Sequence, residues 1–197
     1  MKSEEGVGSE EVVAGELVQG LPTRQQRLEE LGRDLVNAAY LRGDFVLSSG
    51  LRSSFFFDKY LFETKPGILR RLSSFLAELL PTGTERIAAP ELGGVAIGTA
   101  VSLETGLPFV IVKKQAREYA VQRAVEGELY ARERVAIIED ILTTGAAALR
   151  AASQVKATDA HVVKIIGVLD REEGAIQRIA AAGIECETLF RRSELGV

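Results

Sequence analysis

The fold is decided by residues 134–150, RVAIIEDILTTGAAALR. Four apolar residues, 135–138, lead into the carboxylates Glu139 and Asp140, which are followed by two more apolar residues, a Thr-Thr-Gly turn and an alanine-rich run. An apolar run of this length, bounded by turn residues and followed by a helical pattern, indicates a buried parallel strand, a loop and a crossover helix. Such a loop lies at the carboxyl edge of the sheet, where open α/β folds bind ligands.

The residue types in this turn indicate a sugar-phosphate site. The hydroxyls of Thr143 and Thr144 and the free backbone N–H groups around Gly145, at a helix N-terminus, form an anion site that the helix dipole favours. Glu139 and Asp140 would repel the phosphate, but they suit the adjacent hydroxyls of a ribose and could hold Mg²⁺ through water. The alternative is a strand end with two solvated carboxylates, where Thr143 or Thr144 serves as a helix N-cap.

Around this stretch, strand and helix patterns alternate along the chain. We predict strands at residues 86–89, 108–112, 134–138, 162–169 and 184–189, with helices at about 93–105 and 175–182 between them. This alternation favours an α/β fold, a parallel sheet with helices on both faces.

The N-terminal third has a different pattern. Thr23 can cap an amphipathic helix that runs to Gly43, and residues 44–49 and 55–58 indicate two strands that form a hairpin or a tight strand exchange. A second helix opens at Pro66. We expect one domain, with a small N-terminal hood over about residues 21–65 and a core over about residues 66–197. The three phenylalanines at 55–57 cannot all face the core, because side chains alternate along a strand.

The composition limits the classes of protein to which this sequence can belong. The 197 residues indicate one domain, and the formal net charge of −4 gives no general attraction to nucleic acid or to an anionic membrane. Residues 1–20 are rich in glutamate and are expected to form a disordered tail rather than a signal peptide. Cys186, the only cysteine, is expected in the core, and the single histidine, His161, at an exposed strand start. Together these features predict a cytoplasmic protein.

The interval after residue 112 concentrates positive charge in an acidic protein. Lys113, Lys114, Arg117 and Arg123 lie in a segment too polar for the sheet. A mobile cationic loop over the ligand edge would neutralise a leaving diphosphate and exclude water. The alternative is a solvated charge run between strands.

Two further turns carry candidate ligand groups. Glu91, Leu92 and Gly93 lie in a strand-to-helix turn whose backbone N–H groups could bind a diphosphate, although glycine there could equally serve packing. Arg171 follows the strand at 162–169 and could bind a carboxylate bidentately, or could pair with a neighbouring glutamate on the surface.

Five motifs, in order, resemble those of the orotate phosphoribosyltransferases, which are type I phosphoribosyltransferases. Residues 134–145 look like the phosphoribosyl pyrophosphate (PRPP) signature, and 114–120 like the family's catalytic loop K-x-x-K-x-H/Y-G. The turn at 89–94 corresponds to the diphosphate loop, 170–174 to D-R-x-E-G, and the stretch from Phe45 to Asp58 to the hood. Arg117 stands where the family has lysine, Ala120 where it has glycine, and Ser48 where some members have lysine.

The resemblance implies a type I phosphoribosyltransferase-like fold and transfer of 5-phosphoribosyl from PRPP to orotate, with Mg²⁺ carried by PRPP and no direct protein ligand to the metal. It also implies a homodimer in which loop 113–125 reaches the neighbouring subunit's site. The alternatives are transfer to another base, or a non-catalytic PRPP or nucleotide sensor, which the departures at Arg117, Ala120 and Ser48 motivate.

The same resemblance assigns roles to individual residues. The residues expected to act in catalysis are Lys114, Arg117 and Asp140. Those expected to contact PRPP are Lys113, Lys114, Arg117, Tyr119, Glu139, Asp140, Thr143, Thr144, Gly145, Ala146 and Ala147, with Glu91, Leu92 and Gly93 as the diphosphate turn. Orotate is expected to meet Thr143, Arg171, Phe56 and Phe57.

Overall fold

The computed structural model describes residues 20–46, 50, 52–114 and 124–197. The predictions for the tail up to residue 19, for Ser48, and for Arg117, Tyr119, Ala120 and Arg123 of the cationic loop lie outside these residues.

The N-terminal segment begins with helix α1, Arg24–Ala39, which Thr23 opens with a reciprocal capping box to Gln26. Strands β1, Tyr40–Val46, and β2, Arg52–Phe57, pair antiparallel and confirm the predicted hairpin. The helix was expected to continue to Gly43, and this is wrong. Tyr40 already pairs with Phe57, so the ladder of the hairpin takes the backbone groups that a longer helix would need.

Two helices join the hairpin to the sheet. Helix α2, Tyr60–Glu63, is a single turn, and α3, Pro66–Glu78, starts with proline at its first position, as predicted. The buried residues of α1, Leu31, Leu35 and Ala39, share one core cluster with those of α3. The hood region therefore packs onto the main body through a common apolar core.

Among the described residues, the central sheet has six strands: β3 (Arg86–Pro90), β4 (Phe109–Val112), β5 (Val125–Glu126), β6 (Arg134–Leu142), β7 (His161–Asp170) and β8 (Cys186–Arg191). The crossover helices are α4 (Gly93–Thr105), α5 (Ala146–Lys156) and α6 (Ala175–Ala181), and a short α7 (Arg192–Leu195) follows the last strand. The strand order is β5-β4-β3-β6-β7-β8, parallel except where β5 pairs antiparallel to β4. The predicted parallel sheet is confirmed, with β5 as an unforeseen antiparallel edge.

Helices cover both faces of the sheet, and two apolar clusters fill the two interfaces. Neighbouring residues of β6 divide between them: Ile138 joins the cluster with α1 and α3, while Val135 and Ile137 join the cluster with α5. The sequence of a strand that is buried on both faces is an uninterrupted apolar run, and this is why residues 135–138 predicted a buried strand so clearly.

The topology fixes where a ligand can enter. From β3 the chain moves outward to β4 and β5, returns to β6 beside β3, and then moves outward the other way to β7 and β8. The crossovers after β3 and β6 therefore lead to opposite sides. Their carboxyl ends flank a switch point, where open α/β sheets form a crevice.

Candidate active site

A cavity of about 550 Å³ opens at this switch point. Its wall contains predicted residues from all five motifs of the chain. These are Phe56, Phe57, Glu91, Gly93, Lys113, Lys114, Glu139, Asp140, Thr143, Ala147 and Arg171. The predicted residues Leu92, Thr144, Gly145 and Ala146 belong to the same turns, but they are not part of the described cavity wall.

Glu139 and Asp140 lie within β6, which extends to Leu142, so the prediction that the strand stops at residue 138 is wrong. Their side chains are only 6% and 4% exposed, and the alternative of two solvated carboxylates is therefore also wrong. The strand continues because β7 pairs with it as far as Leu142↔Asp170. Both carboxylates are thus held on a rigid element at the floor of the cavity.

Two glycines let the start of α4 approach these carboxylates. A Cβ on Gly94 would lie 2.8 Å from the carbonyl oxygen of Ile138, and one on Gly93 would overlap the carboxylate of Asp140. Any side chain at either position would displace β6 or helix α4. The turn after β3 therefore needs glycine for packing against β6, which was the alternative that the sequence left open.

The Thr-Thr-Gly turn ends in Gly145, which has φ of 75° and forms the N-cap of α5. No side-chain hydrogen bond caps this helix within the described residues, so the alternative that Thr143 or Thr144 serves as the N-cap is wrong. The first N–H groups of α5 therefore remain available beside Thr143 and Ala147 on the cavity wall. This is the geometry of a phosphate site at a helix N-terminus.

Lys113 and Lys114 extend from the end of β4 along the same cavity. The backbone N–H of Lys114 donates to Glu91 Oε1 over 2.5 Å, which ties the two turns together. Lys113 Nζ lies 3.4 Å from Glu126 Oε1. The backbone of the described part of this segment is therefore tied to the site, while the side chain of Lys113 is partly buried and Lys114 is exposed.

Arg171 lies at the opposite side of the cavity, directly after β7. Its guanidinium pairs with Glu173 Oε1 at 2.7 Å, as the surface-pair alternative expected, yet it also lines the cavity. Beside it a smaller pocket of about 120 Å³ has walls that include Phe56, Phe57 and Arg192.

The three consecutive phenylalanines have separate environments. Phe57 packs against the main core, whereas Phe56 is 40% exposed and lies 5.7 Å from the ring of Phe45. Phe55 was expected to pack in the core if Phe56 or Phe57 met the ligand, and this is wrong. It is 41% exposed and stacks on Tyr40, its neighbour in the two-stranded hairpin.

Sequence reasoning missed two ionisable residues next to Asp140: Lys59, which lines the cavity, and Glu63, which lies behind the wall. Lys59 Nζ donates to Asp140 Oδ2 over 2.5 Å. Glu63 is 3% exposed, and its Oε1 has no hydrogen-bond partner among the described residues. Lys59 adjoins a motif residue, Asp58, and could have been suspected. Glu63 lies in a one-turn helix, too short to show any periodicity.

Burial dominates the electrostatics of this floor. Burial, and secondarily the charge of Asp140, raises the pKa of both Glu63 and Glu139 to about 8. Burial alone would lower the pKa of Lys59, but the hydrogen bond and the charge of Asp140 outweigh it and raise the pKa. Near neutral pH the floor therefore holds one lysine–aspartate ion pair and two mainly protonated glutamic acids.

Two minor predictions are also settled. His161 is exposed at the first position of β7, as predicted. Cys186 is half-buried against the second core cluster, and burial raises the pKa of its thiol to about 12, which disfavours the reactive thiolate. Within the described ranges, no helix is long and apolar enough to cross a bilayer.

Comparison with known proteins agrees with this geometry. The phosphoribosyl transferase domain family matches residues 63–188. An orotate phosphoribosyltransferase of Natronomonas pharaonis is 41% identical over 153 residues, covering 78% of this chain and 87% of the relative. The structure of a Mycobacterium tuberculosis H37Rv orotate phosphoribosyltransferase with Fe(III) dicitrate matches with a TM-score of 0.80 at 26% identity, covering 87% of this chain and 99% of that one.

The same mycobacterial enzyme has been solved in complex with PRPP, and that structure matches with a TM-score of 0.75 at 25% identity, covering 87% of this chain and 99% of that one. The chain therefore belongs to the phosphoribosyltransferase family, and these relatives within the family are orotate phosphoribosyltransferases.

Proposed function

We propose that this chain transfers the 5-phosphoribosyl group of PRPP to orotate, giving orotidine 5′-phosphate and diphosphate. The observation that carries the proposal is the single cavity that joins an uncapped helix N-terminus, buried carboxylates, two lysines and an arginine beside aromatic rings. Its named relatives are orotate phosphoribosyltransferases, and a solved relative holds PRPP.

PRPP would lie along the β6 side of the cavity. Its 5-phosphate would take the N-terminus of α5, with Thr143, Thr144, Gly145, Ala146 and Ala147 supplying hydroxyl and N–H donors. Asp140 and Glu139 would accept hydrogen bonds from the ribose hydroxyls. This placement follows from hydrogen bonding, because the phosphate needs donors and the ribose hydroxyls need acceptors.

The diphosphate would lie between the turn at Glu91, Leu92 and Gly93 and the lysines Lys113 and Lys114. Negative charge develops on its oxygens as the bond to the anomeric carbon breaks. Fixed cations already in place stabilise that charge without reorganisation, and this is the largest contribution expected of the protein. The resemblance adds Arg117 and Tyr119 to this group.

Orotate would lie between Arg171 and the aromatic hairpin. A guanidinium binds a carboxylate through two parallel N–H bonds, and a flat ring suits the faces of Phe56 and Phe57. N1 of the base then replaces the diphosphate oxygen at the anomeric carbon and loses its proton. Uracil and the purines lack the carboxylate, so Arg171 would favour orotate over them.

Mg²⁺ fits this donor set. The carboxylate of Asp140 and the carboxyl group of Glu139 line the cavity, and oxygen groups of this kind can hold Mg²⁺ through water. When bound with PRPP, the ion would neutralise part of the diphosphate charge. We also propose a cytoplasmic location, since a single cysteine favours a reducing compartment.

We further propose a homodimer in which loop 113–125 serves the partner's site. Mixing the Arg117→Ala and Arg171→Ala variants, assayed at an orotate concentration too low for Arg171→Ala to turn over, tests this. If Arg117 acts across the dimer, the mixed dimer contains one site with both arginines, and activity returns. A mixture that exchanges subunits but stays inactive would place the loop in its own subunit's site.

The proposed activity is tested by diphosphate release from PRPP with orotate, uracil, hypoxanthine or adenine, each with Mg²⁺ and with excess chelator. We expect release with orotate and Mg²⁺ alone. Turnover of a purine without turnover of orotate would overturn the proposed substrate. Tight PRPP binding with no release for any base would favour a sensor.

A further inference from the structure

Arg150 lines the cavity, but the proposed function does not use it. It lies in the second turn of α5, after the N-cap Gly145, and its side chain is exposed. On the same face of that helix, Ala147, Ala151 and Gln154 also contribute to the cavity wall. The wall therefore carries a guanidinium on the α5 side, opposite the lysines that follow β4.

The guanidinium of Arg150 has no protein partner in the described parts of the chain. No side chain there forms a hydrogen bond or an ion pair with it, although Glu139 and Asp140 line the same cavity. By contrast, Lys59 and Arg171 on the same wall each pair with an acidic side chain. Among the described residues, the charge of Arg150 is therefore left for a ligand.

The direction of a helical side chain brings this charge to the start of α5. The Cα–Cβ bond of a helical residue tilts toward the N-terminus, so a long side chain covers the turn before its own Cα. For Arg150 that turn carries Ala146 and Ala147. Four residues of helix span about 6 Å, at roughly 1.5 Å per residue, and an extended arginine side chain can cover that distance. The guanidinium can therefore reach the available N–H groups of the first turn.

The two alanines of the first turn leave both the space and the need for this charge. Their methyl groups do not obstruct a side chain that crosses over them, and they carry no donor of their own. A phosphate at this turn would meet only neutral donors there, the backbone N–H groups and the hydroxyls of Thr143 and Thr144. A phosphate monoester carries about 1.5 to 2 negative charges near neutral pH, whereas the helix dipole offers only about half a positive charge. Arg150 supplies the full positive charge, in a planar fork that fits two phosphate oxygens.

We propose that Arg150 binds the 5-phosphate of PRPP and so makes the site select a 5-phosphorylated sugar. The diphosphate would lie elsewhere, because its turn at residues 91–93 leads into α4, which covers the opposite face of the sheet from α5. The inference rests on the proposed function, because it needs PRPP to lie along β6 with its 5-phosphate at α5.

Three variants of the full-length chain test this role. Arg150→Ala removes the guanidinium, whereas Arg150→Lys keeps the charge and loses the fork. Arg178→Ala is the matched control, since Arg178 is an exposed arginine in the last turn of α6 and is not part of the described cavity wall. The measurements are the calorimetric Kd of PRPP with Mg²⁺, competition against PRPP by ribose 5-phosphate and by diphosphate, steady-state kinetics and melting temperature.

We expect Arg150→Ala to raise the Kd and the KM of PRPP by about 10- to 100-fold, the loss typical of a hydrogen bond to a charged group. Ribose 5-phosphate should compete more weakly by a similar factor, while diphosphate competes as in the wild type. The value of kcat should not change, because the 5-phosphate keeps its charge throughout the reaction and the contact is equally strong in the transition state. Arg150→Lys should lie between the wild type and Arg150→Ala, and Arg178→Ala should match the wild type.

A folded Arg150→Ala variant with a Kd for PRPP within about twofold of the wild-type value would overturn the inference. An equal loss of affinity for diphosphate and for ribose 5-phosphate would also overturn it, because the arginine would then not be specific to the 5-phosphate. If Arg150→Ala lowers the melting temperature, Arg150→Gln, which keeps a long polar side chain without the charge, gives the same comparison. A wild-type chain that binds PRPP but releases no diphosphate with orotate would instead contradict the proposed function and leave these affinity measurements intact.

Discussion

Buried charged groups are paired differently at the two ends of the strands of the central sheet, here called the amino edge and the carboxyl edge. At the amino edge, Arg86 Nε and Nη2 each donate to Glu133 over 2.7 Å, and the guanidinium lies 5.6 Å from the ring centroid of Tyr130. At the carboxyl edge, three carboxyl groups, Glu63, Glu139 and Asp140, are buried, and among the described residues the ion pair that they form is the one between Asp140 and Lys59. Strand β6 links the two edges, since Glu133 immediately precedes it and Asp140 lies near its end.

The pKa values record this difference. The hydrogen bond from Arg86 lowers the pKa of Glu133, whereas burial raises the pKa of Glu63 and Glu139 to about 8. At the amino edge, the charges of Arg86 and Glu133 are paired within the chain, and this pair contributes to stability. At the carboxyl edge, the hydrogen-bond acceptors and the cations are only partly paired with each other. Such incomplete pairing is expected of a site whose remaining partners come from a bound ligand.

The largest effect should come from Lys114→Ala at the carboxyl edge. Because Lys114 lines the cavity, we expect turnover to fall by about 100- to 1,000-fold, the loss typical of removing one group that stabilises a leaving anion. The melting temperature should not change. Lys156→Ala, an exposed lysine in the last turn of α5, is the control. Near-normal turnover would remove Lys114 from the mechanism.

Arg171→Ala should weaken the binding of one substrate only, orotate. We expect KM for orotate to rise by about 10- to 100-fold, as for the loss of a charge-assisted bidentate contact, with KM for PRPP unchanged. Glu173→Gln removes the partner of Arg171 without removing the arginine, so orotate should bind equally well or slightly better. If both KM values rise together, Arg171 is not specific to the base.

At the amino edge, Glu133→Gln should change stability and leave activity alone. It leaves the buried guanidinium of Arg86 without its charged partner, and we expect a loss of about 1 to 3 kcal/mol in the free energy of unfolding. Urea denaturation gives this value, and a steady-state assay gives the activity. A large drop in kcat at saturating substrate would show that the two edges are coupled.

The smallest effect is a pH dependence of opposite sign at the two edges. The pKa of Glu63 and Glu139 is raised from 4.5 to about 8, so between these values the folded chain holds protons that the unfolded chain has lost. Their contribution is complete below about pH 4.5 and is lost as the pH rises toward about 8. The lowered pKa of Glu133 acts in reverse: its contribution is present above the unfolded pKa and is lost as the pH falls.

Urea midpoints at about pH 5 and about pH 8, in chelator and without ligand, measure this dependence. Glu63→Gln should reduce the loss of stability on going to the higher pH, whereas Glu133→Gln should reduce the loss of stability in acid. A pH profile that is the same in the wild type and in Glu63→Gln would contradict a protonated Glu63.

Local patterns were enough to predict much of the fold. The apolar run at residues 135–138, the turn glycines and the helical spacing placed most strands and helices close to their observed bounds, because each signal is contained in a few neighbouring residues. The predicted ends of elements were wrong where pairing with a strand elsewhere in the sequence determines the end. Helix α1 ends early because β1 pairs with β2, and β6 runs past residue 138 because β7 pairs with it.

The sequence by itself determined the α/β order, the Thr-Thr-Gly turn after β6 and the types of residue that would meet a sugar phosphate and a carboxylated base. Only the tertiary structure decided which charges share the floor of the cavity. Lys59 and Asp140 are 81 residues apart in the chain, and they meet because α2, which follows Lys59, packs against α4, whose first residue Gly93 lies against Asp140. No local pattern encodes such a contact, since it depends on how the hairpin, α4 and β6 pack together.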